Sequence, residues 1–199
     1  MTVWRPEDAE VVTSEAELRE VVSPPAPVIA AKGLAGIDGL SRKFIDAATL
    51  YFVATTAPDG SLDLSPRGDP AGSVLVFDDS RALAFADRPG NRRLDTMRNL
   101  VRHPRVGMLF VVPGKEDVLR VNGRATIVRS APFFGELAEG GVKPALAVVV
   151  EVEELFVHCA NAFRRSGVWD PATWPDQADL PTGGQLLKNQ LETAKLKGW

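Results

Sequence analysis

Two periodicities divide the chain. Near its start Leu18, Val21 and Val22 fall on one helical face behind Ser14-Glu15-Ala16-Glu17. That Ser-x-x-Glu spacing is a capping box, in which two side chains satisfy free backbone amides. Pro24, Pro25 and Pro27 stop this helix, because proline lacks the amide donor and disfavours helix in the residue before it. A second helical segment, Ser41 to Ala48, carries Phe44, Ile45 and Ala48 at helical spacing. From Leu50 the pattern becomes extended. Leu50 to Thr56 is rich in β-branched and aromatic residues and ends at the turn Pro58-Asp59-Gly60. Further strands are predicted over Ser61–Ser65, Ser73–Phe77, Ala82–Ala86, Val106–Val112, Val118–Val128 and Ala145–Val157. Asn122-Gly123 marks a bend or bulge in the long sixth strand. The last strand reads as buried on both faces in its first half and half exposed from Glu151 onward.

One helical run interrupts the strands. Leu94, Met97, Leu100 and Val101 repeat at helical spacing between about Arg92 and Arg102, and His103-Pro104 ends them. Ala131–Leu137 is a second, shorter helical candidate, and Gln185–Lys197 a terminal one. Six or seven strands with short turns point to a mainly β fold with peripheral helices (α+β), a closed or split antiparallel β-barrel. The spacing does not fit repeated βαβ units. One structural domain is expected: an N-terminal helical extension over 1–48 packed on the barrel, the barrel core over 49–158, and a helical, aromatic tail over 159–199.

Composition narrows the function classes. The 199 residues hold 23 Lys+Arg against 26 Asp+Glu, a net charge of -3, which speaks against general nucleic-acid binding. No apolar run reaches the roughly 18–20 residues of a membrane span. Met1 to Arg5, followed by acidic residues, lacks the basic start and apolar stretch of a secretory signal, so a cytoplasmic protein is expected. One cysteine, Cys159, and two histidines, His103 and His158, speak against disulfides and His- or Cys-rich metal centres.

Two segments carry the chemistry of an anion site. Ser65-Pro66-Arg67-Gly68-Asp69-Pro70 sets a glycine beside a forked guanidinium donor; the same residues also suit a plain barrel corner. Asp87-Arg88-Pro89-Gly90-Asn91-Arg92-Arg93 runs into the predicted helix, where free amides and the helix dipole favour an anion. Two arginines there are unfavourable unless something negative compensates them, and a solvated basic turn is the alternative. Neither Ser65 nor Cys159 has partners spaced for a nucleophilic triad.

Taken in order, Phe44-Ile45, the first strand, Asp63 to Asp69, and Asp87 to Asp95 resemble the pyridoxamine 5′-phosphate oxidase-like FMN-binding proteins. Asn99, Pro104, Leu109-Phe110, Pro113-Gly114, Leu119 to Ala125, and His158 to Ser166 with Trp169 continue the likeness, which is nearest to an uncharacterised FMN-dependent branch. The resemblance covers the chain from about Phe44 to Trp169. It implies a split β-barrel homodimer with two FMN sites between the subunits. Asn91, Arg92 and Arg93 stand where the family's Ser-Arg-Lys-like triplet binds the FMN phosphate; Phe85 and Ala86 come from the strand before it. The loop and strand from Arg67 to Leu75 match the region bordering the flavin ring, and Ser65, Arg67, Gly68 and Asp69 are expected to bind the cofactor. There are departures: Arg93 replaces the usual lysine, Ala47-Ala48-Thr49 replaces a common Ser-Pro corner, and the C-terminal Arg-Leu-x-x-Arg of true pyridoxamine-phosphate oxidases is missing. The resemblance implies an FMN-dependent oxidoreductase acting on a small molecule, possible donors being NADH and NADPH. Alternatives are an F420-dependent reductase and a non-enzymatic flavin- or haem-binding module with His158 as the haem candidate. Ala145–Val150 and Leu109–Val112 are expected contact surface for the second copy, and Arg164, Arg165 and Trp169 are expected near the flavin or as pins for the tail.

Overall fold

The computed structural model describes residues 4–196. Seven strands form one antiparallel sheet: β1 (Leu50–Thr56), β2 (Leu62–Gly68), β3 (Leu75–Val76), β4 (Ala82–Ala86), β5 (Arg105–Val111), β6 (Val118–Val128) and β7 (Ala147–His158). Their order across the sheet is β2-β1-β5-β6-β7-β4-β3. The helices are α1 (Glu15–Val21), α2 (Pro27–Ala30), α3 (Gly39–Ala47), α4 (Asp95–Arg102), α5 (Asn161–Ser166) and α6 (Gly183–Leu196). Lys197, the expected last residue of the terminal helix, lies outside the described residues. Among the described residues no helix is long and apolar enough to cross a membrane.

The order of the strands dictates the shape. β2 and β3 are consecutive in the chain yet occupy opposite edges of the sheet, joined only by residues 69–74. Seven flat strands would put those edges about 29 Å apart, while the link from Gly68 to Leu75 reaches at most about 25 Å even fully extended. The sheet must curl. It does not close, because β2 and β3 do not pair; the result is a split barrel whose seam runs between β2 and the β3–β4 side.

Alternation decides what fills the curl. In β1, Tyr51, Val53 and Thr55 are buried while Phe52 and Ala54 are half exposed on the outer face. Val106, Met108 and Phe110 of β5 and Leu119 and Val121 of β6 complete the inner layer. Tyr51 stacks on Phe110 at 5.3 Å and meets Phe85 edge-on at 5.6 Å. Helix α4 lies against β1, β2 and β6. Only Thr96, Met97 and Leu100 of it are buried, so Leu94 and Val101, expected on the same apolar face, stay exposed. Helix α3 is capped by Asp38, whose carboxylate accepts from Leu40 and Ser41 amides at 2.8 and 3.1 Å.

The bulge expected at Asn122-Gly123 is present, but the extra residue belongs to β7. Asn122 pairs with Glu154 and Gly123 with Val152, leaving Glu153 unmatched. This shifts the inward phase of β7 from Val148, Val150 and Val152 to Leu155. Ala147, Val148 and Val150 are buried inside the subunit, which removes them as contact surface for a second copy. Of the other expected contact strand, Phe110 and Val111 are buried and Leu109 remains half exposed.

Strand β2 is longer than expected, running through Pro66 and Arg67 to Gly68. A proline reads as a break, yet β2 pairs on one side only, and an edge strand tolerates a missing donor. Strand β3 is shorter than expected, two residues, and Ala131–Leu137 forms a 3-10 turn over Pro132–Gly135.

The N-terminal capping box is partly as expected. Ser14 Oγ accepts from the Glu17 amide at 3.3 Å, while the Glu17 carboxylate reaches one residue further, to the Thr13 amide at 2.8 Å. Helix α1 buries none of its residues. The N-terminal stretch meets the sheet later, where Leu34 bridges Leu155 and the buried Ile37 donates to the Ser80 carbonyl. At the other end Trp169 donates from Nε1 to the Lys115 carbonyl at 2.7 Å and stacks on Phe163. That contact holds the tail to the β5–β6 turn, as does Arg164 on Glu116 at 3.0 Å.

A side chain at Gly123 would run into the Glu151 carbonyl of the bulge. Gly123→Ala is therefore expected to lower unfolding free energy by about 2 kcal/mol, within the range for overpacking, as read from the denaturant midpoint at unchanged slope.

Candidate functional site

The seam holds a cavity of about 630 Å³ between β2 and the 87–97 segment that leads from β4 into α4. Because side chains alternate along a strand, Asp63, Ser65 and Arg67 of β2 share the half-buried side facing α4. Arg67 is held by two partners, one of them braced by a third residue. Its Nη1 donates to Asp87 Oδ1 at 3.2 Å and its Nη2 to Thr96 Oγ1 at 3.3 Å; the buried Thr96 hydroxyl in turn donates to Asp63 at 2.6 Å. The remaining donor, Nε, is buried without a partner among the described residues.

The opposite wall is the turn Gly90–Leu94. Asn91 Oδ1 accepts from the Arg93 amide at 3.0 Å, an Asx turn. Arg92 and Leu94 both adopt left-handed backbone, with φ of 61° and 59°. Such conformations cost on the order of 1 kcal/mol each in a non-glycine residue and persist where surroundings over-determine them. Two of the three non-glycine examples among the described residues lie in this turn. The helix consequently begins at Asp95, not at Arg92, with Leu94 as a cap that supplies no side-chain bond. Asp95 in the first turn suits the helix dipole and takes Arg93 Nε at 2.7 Å. Arg92 has no ion pair or hydrogen bond among the described residues. Arg67, Arg88, Arg92 and Arg93 line the cavity with Asp63, Asp87 and Asp95, and Arg88 is paired from outside the lining by Asp69 and Glu139.

Of the expected site residues, Ser65, Arg67, Asn91, Arg92 and Arg93 line this cavity. Gly68 ends β2 just outside it. Asp69 is not in the lining: both its carboxylate oxygens accept from the one Arg88 Nε–H, a bifurcated contact of 3.1 Å to each, Glu139 lies 3.6 Å from the same nitrogen, and Arg88 Nη1 donates to the Leu137 carbonyl at 3.1 Å. Phe85 and Ala86 are not in the lining: both side chains are buried in the core, Phe85 against Tyr51. Burial pushes the Tyr51 phenol well above its usual value, with Asp69 adding to the effect. Asp63 and Thr96 were missing from the expected site. Asp63 was legible, since strand alternation puts it on the side of Ser65 and Arg67; Thr96 was not, because its partners are 29 and 33 residues away.

Leu64 joins this cavity to a second one of about 570 Å³ on the outer face of the sheet, walled by Phe52, Ala54, Leu109 and neighbours. Registered rows cross the strands here: Ala54 pairs with Leu64 and with Gly107, and Gly107 with Asn122. Leu64 is thus shared by an arginine-lined cavity and an apolar shelf.

The fold and its seam define a split-barrel protein with an arginine-lined cavity between its two sheet edges. The chain belongs to the pyridoxamine 5′-phosphate oxidase family, whose model matches residues 37–159. Among solved structures it is similar to a Lactobacillus delbrueckii protein provisionally described as a pyridoxamine 5′-phosphate oxidase: 19% identity, 63% of this chain and 98% of the other, TM-score 0.50. It is also similar to HupZ of Group A Streptococcus, at 18% identity over 61% of this chain and 93% of the other, TM-score 0.49. A Mycobacterium smegmatis FAD-binding protein matches at 16% identity over 63% and 97%, TM-score 0.43. No curated protein matches the chain significantly.

The Asp69–Arg88 pair, 8% and 22% exposed, ties the end of β2 to the loop after β4. Asp69→Asn is expected to cost about 2 kcal/mol, the worth of a charge-assisted bond, because Arg88 keeps the Leu137 carbonyl and has Glu139 at 3.6 Å. Denaturant unfolding of Asp69→Asn, Arg88→Met and the double variant checks this; a double-variant loss equal to the sum of the two single losses would show that the pair is not coupled.

Proposed function

We propose that this chain is an FMN-dependent oxidoreductase that works as a homodimer, with NADH or NADPH as donor and a small molecule as acceptor. The observation that carries the reading is the unpaired Arg92, presented on a strained turn into an arginine-lined seam. Asn91, Arg92 and Arg93 would hold the phosphate. The unpartnered Arg67 Nε, in the same lining, is a donor that a bound polar group would satisfy. When bound, FMN supplies the hydride or electron chemistry; the protein contributes binding, orientation and electrostatics. Asp87, Thr96 and Asp63 hold Arg67 in place, and the core side chains Phe85 and Tyr51 back the strands that carry the site. A phosphate monoester carries about -1.5 to -2 charges at neutral pH, which Arg92 together with Arg93 would meet; the longer acidic tail of F420 calls for further cations than this lining has.

FMN titration of the apo-protein tests the assignment. Arg92→Ala is expected to weaken binding roughly 10- to 100-fold, the worth of one charge-assisted contact. Arg93→Ala is expected to do less, since Arg93 must first exchange its Asp95 partner. Riboflavin should bind wild type and variants alike. An unchanged dissociation constant for FMN in the double variant would remove the phosphate site. Bleaching of the bound flavin on anaerobic mixing with NADH or NADPH tests turnover, and the absorption spectrum of the purified protein separates flavin from deazaflavin and haem.

The edge strand β2 exposes Leu62 and Leu64, at 81% and 68%, beside the seam. This is the surface a second copy would cover. Light scattering at micromolar concentration is expected to give twice the chain mass, and Leu62→Asp with Leu64→Asp to halve it; a monomeric wild type with FMN bound would overturn the dimer.

A further inference from the structure

The basic turn carries its strain with little support of its own. Every residue from Pro89 to Leu94 is exposed. Among the described residues one hydrogen bond closes the backbone there, from the Arg93 amide to Asn91 Oδ1. Strained backbone persists only where its surroundings hold it, so the hold must come from the two ends. After the turn it is α4, where Thr96 and Met97 are buried. Before the turn it is Asp87 and Arg88. The Asp87 amide donates to the Leu146 carbonyl at 2.9 Å. Besides its contact with Asp69, Arg88 donates from Nη1 to the Leu137 carbonyl at 3.1 Å and has Glu139 at 3.6 Å from Nε. Leu137, Glu139 and Leu146 all belong to the connection between β6 and β7, residues 129–146, which contributes nothing to the cavity lining.

That connection is itself firmly seated. Phe134 and Leu137 are buried with Ala84, Ala86 and Ala147 on the outer face of β4 and β7, and Phe133 meets Phe77 edge-on at 5.2 Å. Glu139 and Val142 exchange backbone bonds of 3.1 and 2.9 Å across Gly140-Gly141, both at the positive φ that a tight two-residue turn requires. We propose that Arg88 is a positioning residue, through which the β6–β7 connection holds the Gly90–Leu94 turn in the strained form that presents Arg92 to an anion. Its planar fork suits this, because Nε and Nη1 reach Asp69 and the Leu137 carbonyl at once; a lysine ammonium on a flexible stem does not reproduce that fixed two-point geometry. The proposal rests on the flavin reading only for the identity of the anion; the hold on the turn is tested without ligand.

Hydrogen exchange on the ligand-free full chain reads the turn, and titration with FMN and riboflavin reads its consequence. In Arg88→Met the amides of residues 90–94 are expected to exchange at least about fivefold faster than in wild type. A turn relaxed at one or both strained residues presents Arg92 in a minor population, so the FMN dissociation constant should rise about 5- to 30-fold. That of riboflavin, which lacks the phosphate, should stay the same; a merely structural role would weaken both flavins alike and leave their ratio unchanged. Arg88→Lys keeps a charge beside Asp69 and loses the fork, so it gives the same readouts, with smaller shifts, if Arg88→Met fails to fold. Leu137→Ala, outside the cavity lining, should shift both readouts in the same direction. Unchanged exchange at 90–94, equal weakening of FMN and riboflavin, or an unchanged FMN affinity where Arg92→Ala lowers it would each overturn the proposal. FMN weakened without faster exchange would make Arg88 a direct ligand and overturn it as well. Faster exchange in the Arg88 variants, with an FMN affinity indifferent to Arg92→Ala, would instead remove the flavin reading and keep the hold on the turn.

Discussion

Everything at the candidate site depends on a chain-length constraint. Residues 69–74 must connect opposite edges of a seven-stranded sheet, and they are too few to cross it flat. The curl that follows brings β2 against the segment after β4, and the site is the gap where the two edges face without pairing. The Asp69–Arg88 ion pair fastens that junction where the link leaves β2. A closed barrel would fill the gap with ladder hydrogen bonds; a flat sheet would leave its two walls on opposite sides of the molecule.

Within the seam, charge is distributed by partner. Arg67 is spoken for by Asp87 and Thr96, Arg88 by Asp69, and Arg93 by Asp95. Those pairs set the walls and leave Arg92 as the lining arginine without an ion pair or hydrogen bond among the described residues. The left-handed backbone at Arg92 and Leu94 is the local cost of presenting it. The helix is displaced to Asp95 by the same turn, so the cations do not stand in its first turn against the dipole.

The Glu153 bulge does comparable work on the other face. By shifting the phase of β7 it turns Leu155 inward and Glu154 and Phe156 outward. Glu154 thereby reaches Arg120 and Asn122, and Phe156 lies under two cations. Without the extra residue, the alternation that buries Val148 to Val152 would continue and direct Glu154 toward the core.

Much of the architecture is written locally. The limits of β1, β4 and β6 and the turn at Pro58-Asp59-Gly60 follow from residue type and alternation alone, because such signals span only a few neighbouring positions. The basic turn Asn91-Arg92-Arg93 is legible in the same way. Other features need the third dimension. Pro66 breaks a strand in isolation and is tolerated because β2 is an edge. Phe85 and Ala86 sit beside the site in sequence but turn into the core, a choice made by what packs under β4. Thr96 and Asp63 meet only across the seam, and which arginine stays free depends on carboxylates supplied by distant strands and helices. Residue types and spacing thus determined β1, β4 and β6, the motifs that carry the family resemblance and the basic turn; the tertiary structure alone decided the extent of β2, the seam and its pairing, because those depend on which sheet edges a short link forces together.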